Sequence, residues 1–181
     1  MKKILQKGEH VLQGVAKEVY IADIKKAKIK NVIKEMSRAL ASQDDGVALA
    51  APQIGYSMRI FVVSGKIFDK DFGKEKPPRP SGTPPSQGKR VKNMVFINPE
   101  ISKLSREKDW MPEGCLSVRW LYGKTFRSKK ASITAYDENG KKFTRGASGL
   151  LAQIFQHETD HLNGILFTDH AKEIKEEKPK N

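Results

Sequence analysis

Two histidines four positions apart, His157 and His161, constrain this chain more than any other feature of its sequence. They belong to residues 156–161 (QHETDH), which match the pattern H-E-x-x-H. On an α-helix, positions i and i+4 lie about 40° apart around the axis, so both imidazoles share one face and can bind the same ion. Glu158, beside the first histidine, is placed to take a proton from a water molecule at such a site. The pattern therefore predicts a helix that carries part of a metal site.

The residues around this pattern favour a buried helix. An apolar run at 150–155 precedes the first histidine, whereas a surface helix that carries two histidines by chance would be polar there. Ser148 is placed to cap the start of the helix and Gly164 to end it. We predict a helix that runs from about residue 149 to Asn163.

A catalytic metal site needs a third protein ligand and one open position. A zincin-like protease is disfavoured, because Phe167 stands where one such class has a histidine and the later glutamates lie in a short tail. His10 and His170 have no supporting context, which leaves Cys115, the single cysteine. A lone cysteine is commonly a small buried apolar side chain, and beside a histidine it can be a nucleophile. A thiolate ligand fits two histidines on one helical face better, and it accepts ferrous iron as well as zinc.

The rest of the pattern predicts an α+β fold with mostly antiparallel sheets around the motif helix. Residues 24–42 carry apolar side chains at spacings of three to five, as an amphipathic N-terminal helix does. Residues 58–63 and 94–97 are typical of buried strands, and Asn139-Gly140 lies in a hairpin turn between two alternating segments. Strands clustered between an early and a late helix are typical of this fold class.

The length of 181 residues indicates one domain, which we expect to span residues 1–171 with a charged tail at 172–181. Residues 64–92 are rich in charge and proline, and we interpret them as a mobile loop inserted into that domain. The sequence has no apolar run long enough for a membrane span and no signal peptide pattern. A single cysteine fits a reducing compartment, so we expect a cytoplasmic location and no membrane partner.

The chain carries 34 lysines and arginines against 21 acidic residues, a net charge of +13. Such a balance makes a nucleic-acid-binding protein with a structural metal site an open alternative. The basic residues are spread over 1–45, 64–92 and 119–145, without a motif for recognising a specific sequence, so a solvated basic surface also explains them.

Three stretches resemble, in order, the signatures of the peptide deformylase family. They are residues 46–53 (GVALAAPQ), 113–117 (EGCLS) and 156–164 (QHETDHLNG). The first departs from the family once, with Ala48 at the second glycine, and Arg119-Trp120 stands where relatives commonly have Pro-Gly. Three ordered motifs with one coherent metal site are far more specific than any one of them alone.

The resemblance implies a metal-dependent hydrolase that removes the formyl group from N-formylmethionyl nascent peptides and releases formate. Cys115, His157 and His161 would hold one divalent ion, usually Fe²⁺, with Zn²⁺, Ni²⁺ or Co²⁺ able to replace it. Glu158 would then be the general base. The side-chain amide of Gln53 and the backbone N–H of Leu116 would stabilise the developing oxyanion.

The resemblance also implies a substrate-binding set. Gly46 would let the backbone turn sharply, the backbone at Val47 and Ala48 would pair with the substrate chain, and Leu150 and Ile154 would line the methionine pocket. Glu113 would pair with Arg127 and help to hold the Cys115 strand. For Leu150 and Ile154 a purely core role is an equal alternative. A family member with reduced activity, through Ala48 or Arg119-Trp120, is a further alternative.

Overall fold

The computed structural model describes residues 2–69, 72 and 91–178 of the chain. Within these residues the fold has two sheets and two α-helices, as the sequence predicts. The strands are β1 (Ala48–Ala50), β2 (Ile60–Val63), β3 (Met94–Leu104), β4 (Lys108–Cys115), β5 (Val118–Ser128), β6 (Lys130–Tyr136), β7 (Lys142–Ser148) and β8 (Lys172–Glu176). The helices are α1 (Ala27–Ala41) and α2 (Gly149–Leu162), and short 3₁₀ turns lie at His10–Leu12, Ile21–Asp23, Ala51–Ile54, Gly65–Phe68 and Phe167–Asp169.

The two sheets divide the strands unequally. A five-stranded sheet has the order β1-β2-β3-β6-β7, and a three-stranded sheet has the order β4-β5-β8. Every neighbouring pair is antiparallel. β1 is an edge strand, and its three residues are all buried. The α+β architecture with antiparallel sheets is therefore confirmed.

The N-terminal helix is shorter than the sequence predicts. Of the predicted span 24–42, residues 27–41 form α1, which buries the side chains of Ile29, Val32, Met36 and Leu40, and a 3₁₀ turn at Ile21–Asp23 lies just before the span. These apolar residues pack with β1 and β2 in one core cluster. The apolar face that the spacing predicts is therefore the face that packs into the core. The residues of the predicted span that lie outside α1 are at its two ends.

The predicted hairpin is present as β6 and β7. The Oδ1 atom of Asp137 accepts hydrogen bonds from the backbone N–H groups of Asn139 (2.9 Å) and Lys141 (2.8 Å). Gly140 has φ of +75°, a conformation that glycine adopts without strain. The turn residues therefore close the hairpin in the register in which β6 and β7 pair, with Tyr136 opposite Lys142.

The motif helix α2 packs against the five-stranded sheet. Phe155 lies with its ring centroid 5.3 Å from that of Phe96 and 6.4 Å from that of Phe61. Ser148 is the N-cap residue, as predicted, although its side chain makes no capping hydrogen bond. Gly164 has φ of +75°, and a Cβ atom there would lie 2.5 Å from the carbonyl oxygen of Gln13. A glycine is therefore required where the helix ends.

The segment predicted as a charged tail, 172–181, contains a strand, β8, that was not predicted from the sequence. Residues of β8 pair with β5, with Leu121 opposite Glu176 and Lys124 opposite Lys172. All five residues of β8 are exposed, because the strand is held at a sheet edge through its backbone. Lysine-rich edge strands are common in natural sheets, and their side chains carry little of the apolar pattern by which strands are recognised.

Most of the predicted insertion at 64–92 lies outside the described residues. The strands on either side of it, β2 and β3, are direct neighbours, with Val63 opposite Met94. Among the described residues, no helix has the length and apolar character needed to cross a membrane.

Candidate metal centre

The end of strand β4 and the middle of helix α2 bring three metal-binding side chains together. Cys115 ends β4, and His157 and His161 stand one turn apart on α2. Their candidate ligand atoms all lie within 4.8 Å of one another, and Sγ of Cys115 is 3.2 Å from Nε2 of His161. Cysteine sulfur and imidazole nitrogen at this separation form a donor set that suits zinc or ferrous iron.

The turn that joins β4 to β5 sets the position and charge of the cysteine. The backbone N–H of Ser117 and the side-chain amide of Gln53 lie 3.4 Å and 3.6 Å from the sulfur of Cys115. Burial raises the pKa of the Cys115 thiol, but His161 and His157 outweigh it and bring the pKa down to about 5. The sulfur is therefore a thiolate at neutral pH, the form that binds metals.

A buried ion pair fixes the orientation of His157. Nδ1 of His157 is 3.0 Å from Oε2 of Glu113, and Arg127 donates to both carboxylate oxygens of Glu113, at 2.8 Å and 3.1 Å. Burial raises the pKa of Glu113, but His157 and Arg127 hold it well below its usual range. An ionised Glu113 makes Nδ1 a donor and leaves Nε2 free for an ion. Arg127 also donates to Asp160 at 2.6 Å, so the pair is tied to helix α2.

Glu158 is the one carboxyl beside the three ligands that lacks a fixed partner. Its side chain is 4% exposed, and Oε2 has no hydrogen-bond partner among the described residues. Burial raises the pKa of Glu158 to about 7. A carboxyl with this pKa can both accept and return a proton near neutrality. The unpartnered oxygen and the donor set both fit a divalent ion with an associated water molecule.

Gln53 is held in the short turn Ala51–Ile54 with its amide aimed at the ligand cluster. Its Oε1 atom accepts a hydrogen bond from the backbone N–H of Ala50 at 2.8 Å, and its Nε2 atom donates to Oγ of Ser117 at 3.1 Å. The side chain is 2% exposed. Leu116 follows the cysteine in the turn, and its side chain packs into the core cluster of α1.

A cavity of about 280 Å³ opens over these residues. Its lining includes every residue predicted for the site from the sequence except His161: Gly46, Val47, Ala48, Gln53, Glu113, Cys115, Leu116, Leu150, Ile154, His157 and Glu158. The lining also includes Pro112, Tyr122 and Gln153, which sequence reasoning missed. Gln153 stands one turn before His157 on α2 and donates to the carbonyl of Pro112 at 2.8 Å, so helical spacing alone would have placed it beside the site.

The first motif occupies the edge strand beside the cavity. Ala48 lies in β1 opposite Val63 and has no positive φ, so alanine fits where relatives have glycine. The backbone N–H of Gly46 donates to the carbonyl of Gln43 at 3.3 Å, so the chain turns here, but Gly46 has no positive φ and the turn does not itself require glycine. A Cβ atom on Gly46 would instead lie 3.0 Å from Leu40 and 3.1 Å from Leu116. Close packing therefore explains the glycine.

A thiolate and two imidazoles beside a buried carboxyl, in a cleft bordered by a sheet edge, define a metal-dependent hydrolase of the α+β class. Comparison with known proteins gives the family. The family model described as polypeptide deformylase matches residues 1–177, and the chain belongs to that family of enzymes.

Relatives and solved structures agree with this assignment. The chain is 40% identical to a peptide deformylase of Borreliella burgdorferi over 81% of this chain and 74% of that protein. It is 35% identical to one of Leptospira biflexa over 97% of this chain and 90% of that protein. A probable peptide deformylase from Synechococcus phage S-SSM7 has a TM-score of 0.76 at 31% identity, covering 94% of this chain and 99% of that one. A Met-Ala-Ser-bound class I type b peptide deformylase from Acinetobacter baumannii has a TM-score of 0.76 at 28% identity, with the same coverage.

Proposed function

We propose that this chain hydrolyses the formamide bond of N-formylmethionyl nascent peptides and releases formate, with Cys115, His157 and His161 as the ligands of one divalent ion. One observation carries the proposal. The three ligand atoms lie within 4.8 Å of one another beside a buried glutamate whose Oε2 atom has no partner among the described residues.

The donor set supports Fe²⁺ as the ion, with Zn²⁺, Ni²⁺ or Co²⁺ able to replace it. One thiolate and two imidazoles are of intermediate softness and accept each of these metals. An ion held by these three residues would supply Lewis-acid chemistry, polarising the formyl oxygen and lowering the pKa of a neighbouring water molecule.

Glu158 is the proton carrier in this proposal. Its carboxylate takes a proton from the attacking water, and the resulting carboxylic acid gives that proton to the nitrogen of the leaving amine. A pKa of about 7 supports both halves of the task, because neither protonation state is strongly favoured at neutral pH. Burial serves the same end by keeping bulk water away from the carboxyl.

Gln53 and Leu116 stabilise the charge that develops on the formyl oxygen. The amide of Gln53 is fixed at its oxygen by the N–H of Ala50, so its Nε2 donor keeps its direction toward the cluster. The backbone N–H of Leu116 lies in the turn directly after Cys115. Donors held in place before the reaction lower the barrier, because they need not reorganise as the charge forms.

The edge of strand β1 supports binding of an extended peptide. β1 pairs with β2 on one side only, and Val47 and Ala48 line the cavity. A peptide added to a free sheet edge gains main-chain hydrogen bonds. Leu150 and Ile154, one turn apart on α2, also line the cavity and supply apolar surface for the methionine side chain.

The remaining assignments concern context. We propose one catalytic domain over residues 1–171 with the insertion at 64–92, a cytoplasmic location, and docking to the ribosome through the basic surface. A net charge of +13 supports attraction to ribosomal RNA.

The alternative function is that of a binding protein with a structural metal site. For such a site, a closed set of four protein ligands is expected. Among the described residues the cluster has three members.

Formate release from formyl-Met-Ala-Ser by protein purified anaerobically with iron tests the proposal. We expect turnover by the parent chain and metal retention without turnover in Glu158→Ala, because Glu158 is not a ligand. Glu176→Ala, on the exposed strand β8, is the matched control and should behave as the parent. Absence of formate from the iron-loaded parent, or nearly parental turnover by Glu158→Ala, would contradict the proposal.

A further inference from the structure

Strand β5 leaves its ladder with β4 beside the candidate metal centre. Gly114 pairs with Tyr122, but the next residue of β4, Cys115, pairs with Val118. Residues 119–121 therefore have no partners on β4 and form a bulge at the cavity. Bulges beside functional sites redirect side chains that regular pairing would point elsewhere.

The bulge holds a tryptophan in a backbone conformation that tryptophan rarely adopts. Trp120 has φ of +63°, in the left-handed region. A bulky side chain there is an outlier, because its Cβ atom crowds the neighbouring carbonyl. The conformation is fixed on one side by the carbonyl of Trp120, which accepts a hydrogen bond from the N–H of Glu177 at 2.8 Å. Strain of this kind persists where the surrounding structure enforces it, and it concentrates at functional sites.

Arg119 fixes the bulge from the other side of the cavity mouth. Its guanidinium donates to both carboxylate oxygens of Asp45, at 2.6 Å and 3.3 Å, and to Oε1 of Gln43 at 2.6 Å. The same guanidinium lies 5.1 Å from the centroid of the Trp120 ring. With its donors directed to Asp45 and Gln43, Arg119 holds the indole ring and is not free to pair with an acidic substrate.

Apart from the paired charges of Arg119 and Asp45, which also line the cavity, the wall at this point is apolar and aromatic. Trp120, Leu121 and Tyr122 line it from β5, and Pro112 lines it from β4. The bulge begins directly after Val118, the residue of β5 that pairs with Cys115. If the formyl group lies at the ligand cluster and the methionine in the cavity, as the proposed function requires, the next residue of the peptide would lie toward the cavity mouth, beside this wall.

We propose that Trp120 is a specificity-determining residue that contacts the side chain following formylmethionine and favours apolar, above all aromatic, side chains. The inference rests on the proposed function. Arg119 acts as a positioning residue, through its contacts with Asp45 and with the ring. An aromatic side chain of the substrate would stack on the indole ring of Trp120, which the Arg119–Asp45 ion pair holds in place.

Competing formyl peptides test the inference through a ratio of rates. Formyl-Met-Phe-Ser should exceed formyl-Met-Ala-Ser in kcat/KM by about 5- to 10-fold in the parent, mostly through KM, because the contact lies away from the reacting bond. Trp120→Gly should bring that ratio close to one, and Trp120→Phe should restore most of it. Trp110→Ala is the matched control, since Trp110 is the other tryptophan and does not line the cavity.

A binding measurement separates this inference from the proposed function. Trp110→Phe leaves Trp120 as the single tryptophan. With excitation selective for indole, titration with the product peptide Met-Phe-Ser should shift the tryptophan emission more than titration with Met-Ala-Ser does. Absence of formate from every peptide would overturn the proposed function, while the titration would still report on the contact. Equal ratios in the parent and Trp120→Gly, equal emission shifts with both peptides, or a preference for formyl-Met-Asp-Ser would overturn the inference.

Discussion

Glu113 and Arg127 form a buried pair in which the guanidinium donates to both carboxylate oxygens, at 2.8 Å and 3.1 Å. Their side chains are 3% and 7% exposed, so neither charge is solvated by bulk water. The pair joins β4 to β5 and, through Glu113, directs the ring of His157. The three-stranded sheet and the motif helix are thereby fastened at the point where their ligands meet.

Glu113→Gln should destabilise the fold and weaken metal binding together. Arg127 would lose its bidentate carboxylate partner in a buried position, which costs about 3 kcal/mol or more. His157 would lose its charged acceptor, and metal affinity should fall about 10- to 100-fold. Urea unfolding and competition with a chelator measure the two effects. Glu107→Gln, which breaks an exposed pair with Lys129, should change neither, and an unaffected metal affinity in Glu113→Gln would contradict the orienting role.

Cys115→Ser should lose metal on dialysis under conditions in which the parent retains it. A hydroxyl is not ionised at neutral pH, whereas the pKa of about 5 makes the Cys115 sulfur an anionic ligand. Metal content measured after dialysis against a weak chelator gives the result. Ser117→Ala, which keeps the backbone N–H near the sulfur, should retain its metal. Equal metal content in Cys115→Ser and the parent would exclude thiolate ligation.

Gln53→Ala should lower kcat about 100- to 1,000-fold while leaving metal content unchanged, because it removes a donor to the developing oxyanion. Ser117→Ala separates this role from a structural one, since it removes only the hydroxyl that accepts from Gln53. That variant should keep most of its activity. Steady-state formate release with metal-replete protein is the measurement. Comparable losses in the two variants would indicate that Gln53 acts by packing alone.

Gly164→Ala should lower the free energy of unfolding by about 2 kcal/mol or more, because it combines backbone strain with a steric clash. The new Cβ atom would lie 2.5 Å from the carbonyl oxygen of Gln13. Gly149→Ala is a matched control at the other end of α2, with φ of +57° and no atom within 4 Å of a Cβ. It carries the strain without the clash, about 1 kcal/mol. Urea unfolding compares them, and equal losses would assign the effect to φ alone.

The features predicted from the sequence are those encoded in short stretches of chain. Helical spacing gave His157 and His161 a common face, and Asn139-Gly140 marked a hairpin that the structure contains. Strand β8 could not be predicted, because its side chains are exposed and its pairing is a property of the backbone. The left-handed conformation of Trp120 could not be predicted from the sequence either, since it arises from the bulge and from contacts with distant residues.

The pair Glu113–Arg127 was expected from family resemblance, and the structure contains it. Its link to Asp160 on α2 could not be read from sequence, because that contact spans 33 positions and depends on how the sheet meets the helix. Gly46 is a second such case. Its glycine was expected from the motif, but the crowding by Leu40 and Leu116 that leaves no room for a Cβ atom is visible only in the packed structure.

Cys115 and His161 are separated by 46 positions along the chain, yet their sulfur and nitrogen atoms lie 3.2 Å apart. Helix α2 alone carries two of the three candidate ligands, and strand β4 supplies the third. A fragment that ends before residue 161 holds at most two of these three residues, and one that begins after residue 115 holds only the two histidines. The complete donor set therefore exists only in copies of the chain in which strand β4 and helix α2 have packed together.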